Sequence, residues 1–397
     1  ACARCHSTHA AQGPALLPQA NPQSSVCLSC HDGTGSDIDV AAPYNDPAIP
    51  ANDPATRSYY RHDALAPSVH VLAGENEFEG LLERHSECGD CHNPHNSTAT
   101  DSIQTTTGWS VSGRQAALSG VAVTNDVAGT APAYTYLDGS AGSQPTREYE
   151  ICLKCHSGFT TLPDDAGQPP SRQALDKGIE LNPANISFHP IEAAGKNQTA
   201  AMAASLAGTS PFKQWDFTTE STIRCVNCHG DPAKYDPITP PGAGSALAPH
   251  ASANRGILLQ PYRDRILKST GEAYDAADFA LCLICHGEEP FTNDNSTATN
   301  FDLHSLHLTE LAGKGSGGTN IDTLGAGQGN AICAECHFRV HSTALRVGSQ
   351  GVYPRLINFA PNVVTDDGGY PAWAPLGASG GSCTLNCHGK SHDDYGY

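Results

Sequence analysis

The sequence predicts a loop-rich chain, mostly coil with short helices and little β-structure, folded as one unit around something other than an apolar core. Three observations carry this. Of 397 residues, 39 are glycine and 28 are proline, a content that favours turns over long helices or a large sheet. Only 39% are apolar, so a conventional hydrophobic core is under-supplied for a chain of this length. The 16 cysteines fall into close pairs spread from one end of the chain to the other.

Charge and hydropathy narrow the partners. With 22 basic and 41 acidic side chains the net charge is -19, which argues against nucleic acid or an anionic membrane surface. Charged blocks and low-complexity tracts are lacking, so the acidity reads as a solubilising surface. No run of eighteen apolar residues occurs, and no membrane-spanning helix is expected. The sequence opens at Ala1 without a leader pattern, and the expectation is that a secretory leader has been removed.

In chain order the cysteine pairs are Cys2/Cys5, Cys27/Cys30, Cys88/Cys91, Cys152/Cys155, Cys225/Cys228, Cys282/Cys285, Cys333/Cys336 and Cys383/Cys387. The second member is always followed by histidine: His6, His31, His92, His156, His229, His286, His337 and His388. Seven pairs read C-x-x-C-H, and the last, C-T-L-N-C-H, carries one extra residue. C-x-x-C-H is the attachment motif of c-type haem. On one helical turn the two thiols share a face and reach the two vinyl groups, while the next histidine lies under the ring as proximal ligand. The extra residue at the last motif requires a local bulge.

A disulfide scaffold would not place histidine after every second cysteine, and zinc or iron–sulfur sites need no such histidines. The fold class is therefore a multihaem cytochrome c carrying eight haem c, its core formed largely by a continuous chain of stacked haems. With every thiol consumed, no disulfide and no lipid anchor on Cys2 are expected. The motif also implies attachment outside the cytoplasm, in the periplasm or beyond the cell.

The motifs group two by two, because V-C-L-S-C-H at Cys27, I-C-L-K-C-H at Cys152 and L-C-L-I-C-H at Cys282 share a signature. This gives approximate modules 1–60, 61–180, 181–300 and 301–397 within a single haem-wrapped unit 1–397. After the first motif of each module comes a further histidine with a small neighbour: His9, His95, His250 and His341. Before the first motif of each later module comes S-V-H at His70, S-F-H at His189 and S-L-H at His307. These seven are the expected sixth ligands, since recurrence at fixed places sets them apart from lone histidines. His9, His95 and His341 follow a proximal histidine too closely to reach round its ring, so each is expected to serve a neighbouring haem. His392, four residues after His388, is the choice for the eighth, with His62, His85 and His304 as open alternatives. Met202 is a weaker rival.

Three stretches, C-G-D-C-H-N-P-H-N-S at Cys88, C-A-E-C-H-F-R-V-H-S-T at Cys333 and the ending C-T-L-N-C-H-G-K-S-H, resemble the secreted multihaem cytochromes with paired C-x-x-C-H motifs of metal-respiring bacteria. Some of that group polymerise into extracellular cytochrome filaments. The resemblance implies a loop-rich fold with bis-histidine haems, secretion to the exterior or cell surface, and three kinds of partner: copies of the chain itself head to tail, redox partner proteins and external electron acceptors.

The remaining elements follow from local chemistry. The Pro/Gly-rich stretches 32–57 and 160–173 are expected on the surface, and 105–136 alternates enough for a small hairpin. Two functional classes stay open. A saturated set of irons makes an electron carrier, whereas one open iron makes a reductase of the nitrite, sulfite or tetrathionate type. Eleven histidines beyond the proximal eight favour the carrier, as a filament or as a soluble periplasmic shuttle. The upstream S-x-H signature has no copy before the first motif, so a donor is expected from elsewhere: His392 or another spare histidine of a neighbouring subunit in a filament, or a spare histidine of the same chain folded back in a monomeric shuttle.

Overall fold

A computed structural model describes residues 2–20, 22–53, 55–66, 85–167, 173–231, 248–262, 274–293, 301, 303–310, 331–344, 352–361, 363–367, 371–376, 380–387 and 390–396. Most of this is coil and turn. The α-helices are α1 (Ser24–Leu28), α2 (Ala42–Asn45), α3 (Cys88–Cys91), α4 (Glu148–His156), α5 (Lys177–Leu181), α6 (Ala200–Ala207), α7 (Ala280–Leu283), α8 (Glu289–Thr292) and α9 (Cys333–Cys336). Few exceed a turn or two, as expected where glycine and proline punctuate the chain. The longer ones are capped: the Glu150 carboxylate accepts from the Thr146 and Arg147 amides at 2.7 and 2.9 Å ahead of α4, and the Thr199 hydroxyl accepts from the Met202 amide at 3.1 Å.

The strands make small antiparallel units. β1 (Gln104–Thr105) pairs with β2 (Gly108–Trp109), and β3 (Gly120–Thr124) pairs with β4 (Ala133–Leu137), so the hairpin expected in 105–136 is present. A larger sheet forms where β5 (Val364–Thr365), β6 (Ala372–Leu376) and β8 (Lys390–Gly396) all pair with β7 (Gly380–Cys387).

Apolar side chains are buried in patches beside the cysteine motifs. The largest patch joins Phe279, Leu283, Ile332, Phe338, Phe359, Trp373 and Leu385, packed against Cys333, Cys336, Cys383 and Cys387. A smaller one joins Val226, Leu259 and Ile284 beside Cys285. Distant segments are tied by single bridges: Arg61 pairs with Ala251, and Phe188 pairs with Ser342. At Gly287, directly after the sixth motif, a Cβ would lie 2.6 Å from the Gly208 Cα, so glycine is required where the end of α6 abuts that motif.

Candidate haem sites

Six motifs close the same tight turn. The amide of the motif histidine donates to the carbonyl of the first cysteine at His6 (2.9 Å), His31 (3.0 Å), His92 (2.8 Å), His229 (3.0 Å), His286 (3.0 Å) and His337 (2.8 Å). The fourth motif forms the last turns of α4. The eighth departs from the helical expectation. Cys383 and Cys387 lie on β7, with a shift of register between Cys383 and Leu385. The inserted residue takes the histidine out of i+4 reach of the first cysteine, and pairing with β5, β6 and β8 engages the strand instead. The two cysteines, four apart, still share one face of a strand with period two. His388 lies outside the described residues.

The thiols form a continuous series in chain order. The thiols of Cys27 and Cys88, of Cys152 and Cys225, and of Cys282 and Cys333 lie close enough to shift one another's ionisation. The intervening steps are also close: Cys5 acts electrostatically on Cys27, Cys152 and Cys155 on Cys91, Cys228 on Cys285, and Cys383 on Cys336. Each motif is therefore next to the one that follows it. Burial pushes the thiols up, Cys91 to about 12 and Cys228 to about 11, which reflects apolar surroundings.

Facing this series is a cavity of about 2660 Å³, lined by both cysteines of motifs three to eight and by thirteen histidines. A typical small-molecule pocket is roughly 300–1,000 Å³, so the space suits several large apolar groups. The first two motifs lie outside this cavity. Cys2, Cys5 and Cys30 are exposed, Cys27 is half-buried, and none of the four lines the cavity. The reason is local composition: among the described residues no hydrophobic side chain before Ala64 is buried, so nothing apolar packs over this end of the chain. Cys30 nonetheless keeps the backbone of an attachment turn. Its amide donates to the Cys27 carbonyl at 3.1 Å, and its own carbonyl accepts from the Gly35 amide at 3.2 Å.

Histidines stand in facing pairs, most of them along the cavity. Ring centres are 5.9 Å apart for His6 and His95, 6.1 Å for His62 and His156, 6.3 Å for His92 and His250, 6.1 Å for His229 and His341, and 6.4 Å for His307 and His392. Metal–imidazole bonds of about 2 Å on either side of one ion require a separation of about 6 Å. The residues thus fit a metal held between two imidazoles.

The second ring nitrogen supports the same reading. Nδ1 donates to a backbone carbonyl at His6 (Ala15, 2.9 Å), His62 (Pro249, 2.7 Å), His229 (Gly256, 2.8 Å), His307 (Leu303, 2.8 Å) and His337 (Leu356, 3.0 Å), and at His189 to Val340. This fixes the tautomer that leaves Nε2 for a metal. Burial holds the rings neutral, lowering His250 and His286 to about 4 and His304 to about 3.

The other histidines fall as follows. His189 exerts the strongest electrostatic influence on His286, and His337 the strongest on His304. His85 Nε2 is 3.7 Å from an Asp90 carboxylate oxygen. His9 is exposed and has no ring against it among the described residues. His31 acts electrostatically on His92, and His70 lies outside the described residues.

The structural counterpart of His189 is His62, where the signature alignment puts His70. The His189 amide donates to the His341 carbonyl at 3.0 Å, and the His62 amide donates to the His250 carbonyl at 2.9 Å. In both, the residue two further on turns back onto the histidine's own carbonyl, Ile191 at 2.9 Å and Ala64 at 2.8 Å. His62 sits in R-H-D-A, outside any S-x-H match, and the only sequence signal for it was surplus histidine count.

Residues 1–36 match the family described as the doubled CXXCH motif. No curated protein and no solved structure matches the chain. The matched segment holds the first two of eight repeats of one pattern, which supports a multihaem c-type cytochrome, an electron-transfer class with covalently bound haem c. Among the described residues no helix is long and apolar enough to cross a membrane.

Proposed function

We propose that this chain is an octahaem c-type cytochrome that carries electrons along a bis-histidine haem series outside the cytoplasm, joined head to tail with copies of itself into an extracellular filament that delivers to external acceptors. The single observation that carries the reading is the unbroken adjacency of the eight motifs in chain order. Each haem, once attached, supplies a one-electron carrier. The chain's own part is to hold neighbouring rings together and saturate their axial positions.

The histidine pairs support a rule for that saturation. A histidine just after motif n+2 serves motif n: His95 serves the first, His250 the third and His341 the fifth. A histidine upstream of an odd motif serves the even motif after it: His62 the fourth and His189 the sixth, and by the same step His307, whose ring faces His392, is assigned to the eighth. His85 and His70 are candidates for the second. His9 stands after the first motif as His95 stands after the third, and one further step of the rule assigns it to the seventh motif of an adjoining copy. The thiol series supports the same junction. Its strongest couplings join motifs two and three, four and five, six and seven, which leaves Cys383 of one copy to meet Cys2 of the next. The exposure of Cys2 and Cys5 leaves that end of the series open to such a contact. The contact is heterologous, and repeating it without closure builds a polymer.

Intact mass tests the haem count, and electron microscopy of the secreted protein tests assembly. His9→Ala is expected to abolish filaments while the chain keeps eight haems. Monodisperse single chains, with His304 serving the seventh iron internally, would refute the filament and leave the carrier intact.

A further inference from the structure

The motif histidines of the odd-numbered repeats share one kind of support. Nδ1 donates to the backbone carbonyl of a turn further along the chain: His6 to Ala15 at 2.9 Å, His92 to Arg114 at 3.3 Å, His229 to Gly256 at 2.8 Å and His337 to Leu356 at 3.0 Å. Ala15, Gly256 and Leu356 hold left-handed backbone, with φ of 53°, 74° and 55°, so in these three a tight turn sets the acceptor.

The sixth motif is built differently. Its histidine, His286, meets a side chain, with the Ser205 hydroxyl oxygen 3.1 Å from Nδ1. Ser205 is buried and stands in the last turn of α6, which precedes the motif instead of following it. Its main chain holds the same spot, because the Gly287 amide donates to the Ser205 carbonyl at 2.8 Å. Neighbouring residues extend this contact: the Glu288 amide donates to the Thr209 carbonyl and the Gln214 amide to the Ile284 carbonyl, each at 2.9 Å. The close approach of Gly208 to Gly287 lets α6 sit this near the motif. Ser205 and His286 both line the cavity, beside Cys282 and Cys285.

We infer that Ser205 is the positioning residue of the sixth haem's proximal ligand and sets that haem's potential through the second nitrogen of His286. The inference rests on the octahaem reading above. With Nε2 on the iron, Nδ1 carries its proton and the Ser205 oxygen accepts the hydrogen bond. That bond makes the imidazole a stronger donor, which favours the ferric state and lowers the potential. At the odd motifs a backbone carbonyl does this, and the fold fixes it. At the sixth motif the acceptor is a side chain, which a substitution exchanges without touching the main chain.

Spectroelectrochemical titration of the full holoprotein tests this. Ser205→Ala removes the acceptor and is expected to make reduction of one haem component about three-fold more favourable, about 28 mV for one electron. Ser205→Asp supplies a stronger acceptor and is expected to move the same component the other way by at least as much. Ser205→Thr keeps the hydroxyl and is expected to hold the wild-type value. Cys282→Ser with Cys285→Ser deletes one component, which should be the one that the Ser205 variants move. Should Ser205→Ala fail to mature, the sign of the Ser205→Asp shift decides. The inference is overturned if no component moves in variants that keep all haems, if alanine and aspartate move it in the same direction, if Ser205→Thr shifts as far as Ser205→Ala, or if the moved component survives the double cysteine change. A wild-type chain without haem at Cys282 and Cys285 would overturn the octahaem reading as well, so the two failures are distinguishable.

Discussion

Replacing His62 by alanine is expected to open one iron and leave the fold standing. The ring of His62 faces that of His156 at 6.1 Å, and its Nδ1 donates to the Pro249 carbonyl at 2.7 Å. What ties this segment to its neighbour is backbone: the His62 amide to the His250 carbonyl, and the Ala64 amide to the His62 carbonyl. Alanine keeps both. The structural loss is one side-chain hydrogen bond, about 1 kcal/mol, plus the packing of one ring, against a domain stability of about 5–15 kcal/mol. On the proposed octahaem ligation the coordination loss falls wholly on the fourth motif, so about one-eighth of the haem is expected to turn high-spin and to bind carbon monoxide when reduced, one equivalent per chain. Electron paramagnetic resonance and a carbon monoxide titration read this directly. His70→Ala run in parallel is expected to leave the fourth iron low-spin. If His62→Ala remains fully low-spin, the equivalence of His62 and His189 is refuted.

Three further outcomes follow from the buried charges and the last motif. Arg224→Met strands the Glu148 carboxylate, already raised above its usual range by burial, and is expected to cost about 3 kcal/mol in denaturant unfolding. That cost should shrink on acidification, because protonating Glu148 removes the unpaired charge. Glu192 is raised from 4.5 to about 7, by burial first and then by Glu150 and Asp176, while Asn125 opposes the shift. The folded state therefore holds a proton that the unfolded state releases, so stability is expected to fall by roughly 3 kcal/mol between pH 4.5 and 7, and Glu192→Gln should remove that slope in thermal melts. Cys383→Ser with Cys387→Ser is expected to lower the intact mass by one haem and leave the other seven motifs loaded.

Sequence and structure divide along a physical line. The motifs were legible because haem attachment is local chemistry: two thiols and an imidazole must lie within five residues, whatever the rest of the chain does. The short helices at Cys88 and Cys333 and the hairpin of β3 and β4 followed from equally local rules. His62 was hidden because its place is set by pairing 61–64 with 249–251, across most of two modules, and the nearby S-V-H at His70 is the better local match to S-F-H at His189. The strand at Cys383 was hidden for a related reason. Its residues meet partners in β5, β6 and β8, and those contacts prevail once the inserted residue breaks the helical turn. The exposure of Cys30 was hidden too, because a motif reports what its own residues can attach and says nothing of what packs over them.

The ligand rule makes each module depend on the next. A histidine after the third motif faces the first, one after the fifth faces the third, and one after the seventh faces the fifth. Two long-range bridges, Arg61 with Ala251 and Phe188 with Ser342, lie beside the second and third of these histidines, His250 and His341. A module taken alone lacks a ring opposite its odd motif, and its apolar side chains form only a small patch, as with Val226, Leu259 and Ile284. On the proposed ligation, closing the backbone bridge and filling the axial position would be one event, because the residue next to the bridge would be the ligand. In a chain with so little apolar core, this coupling lets metal–imidazole bonds hold distant segments in register, since binding free energy at such a site is also folding free energy. Among the described residues His9 has no ring opposite it, and the proposed head-to-tail junction would use it to continue the series into another copy.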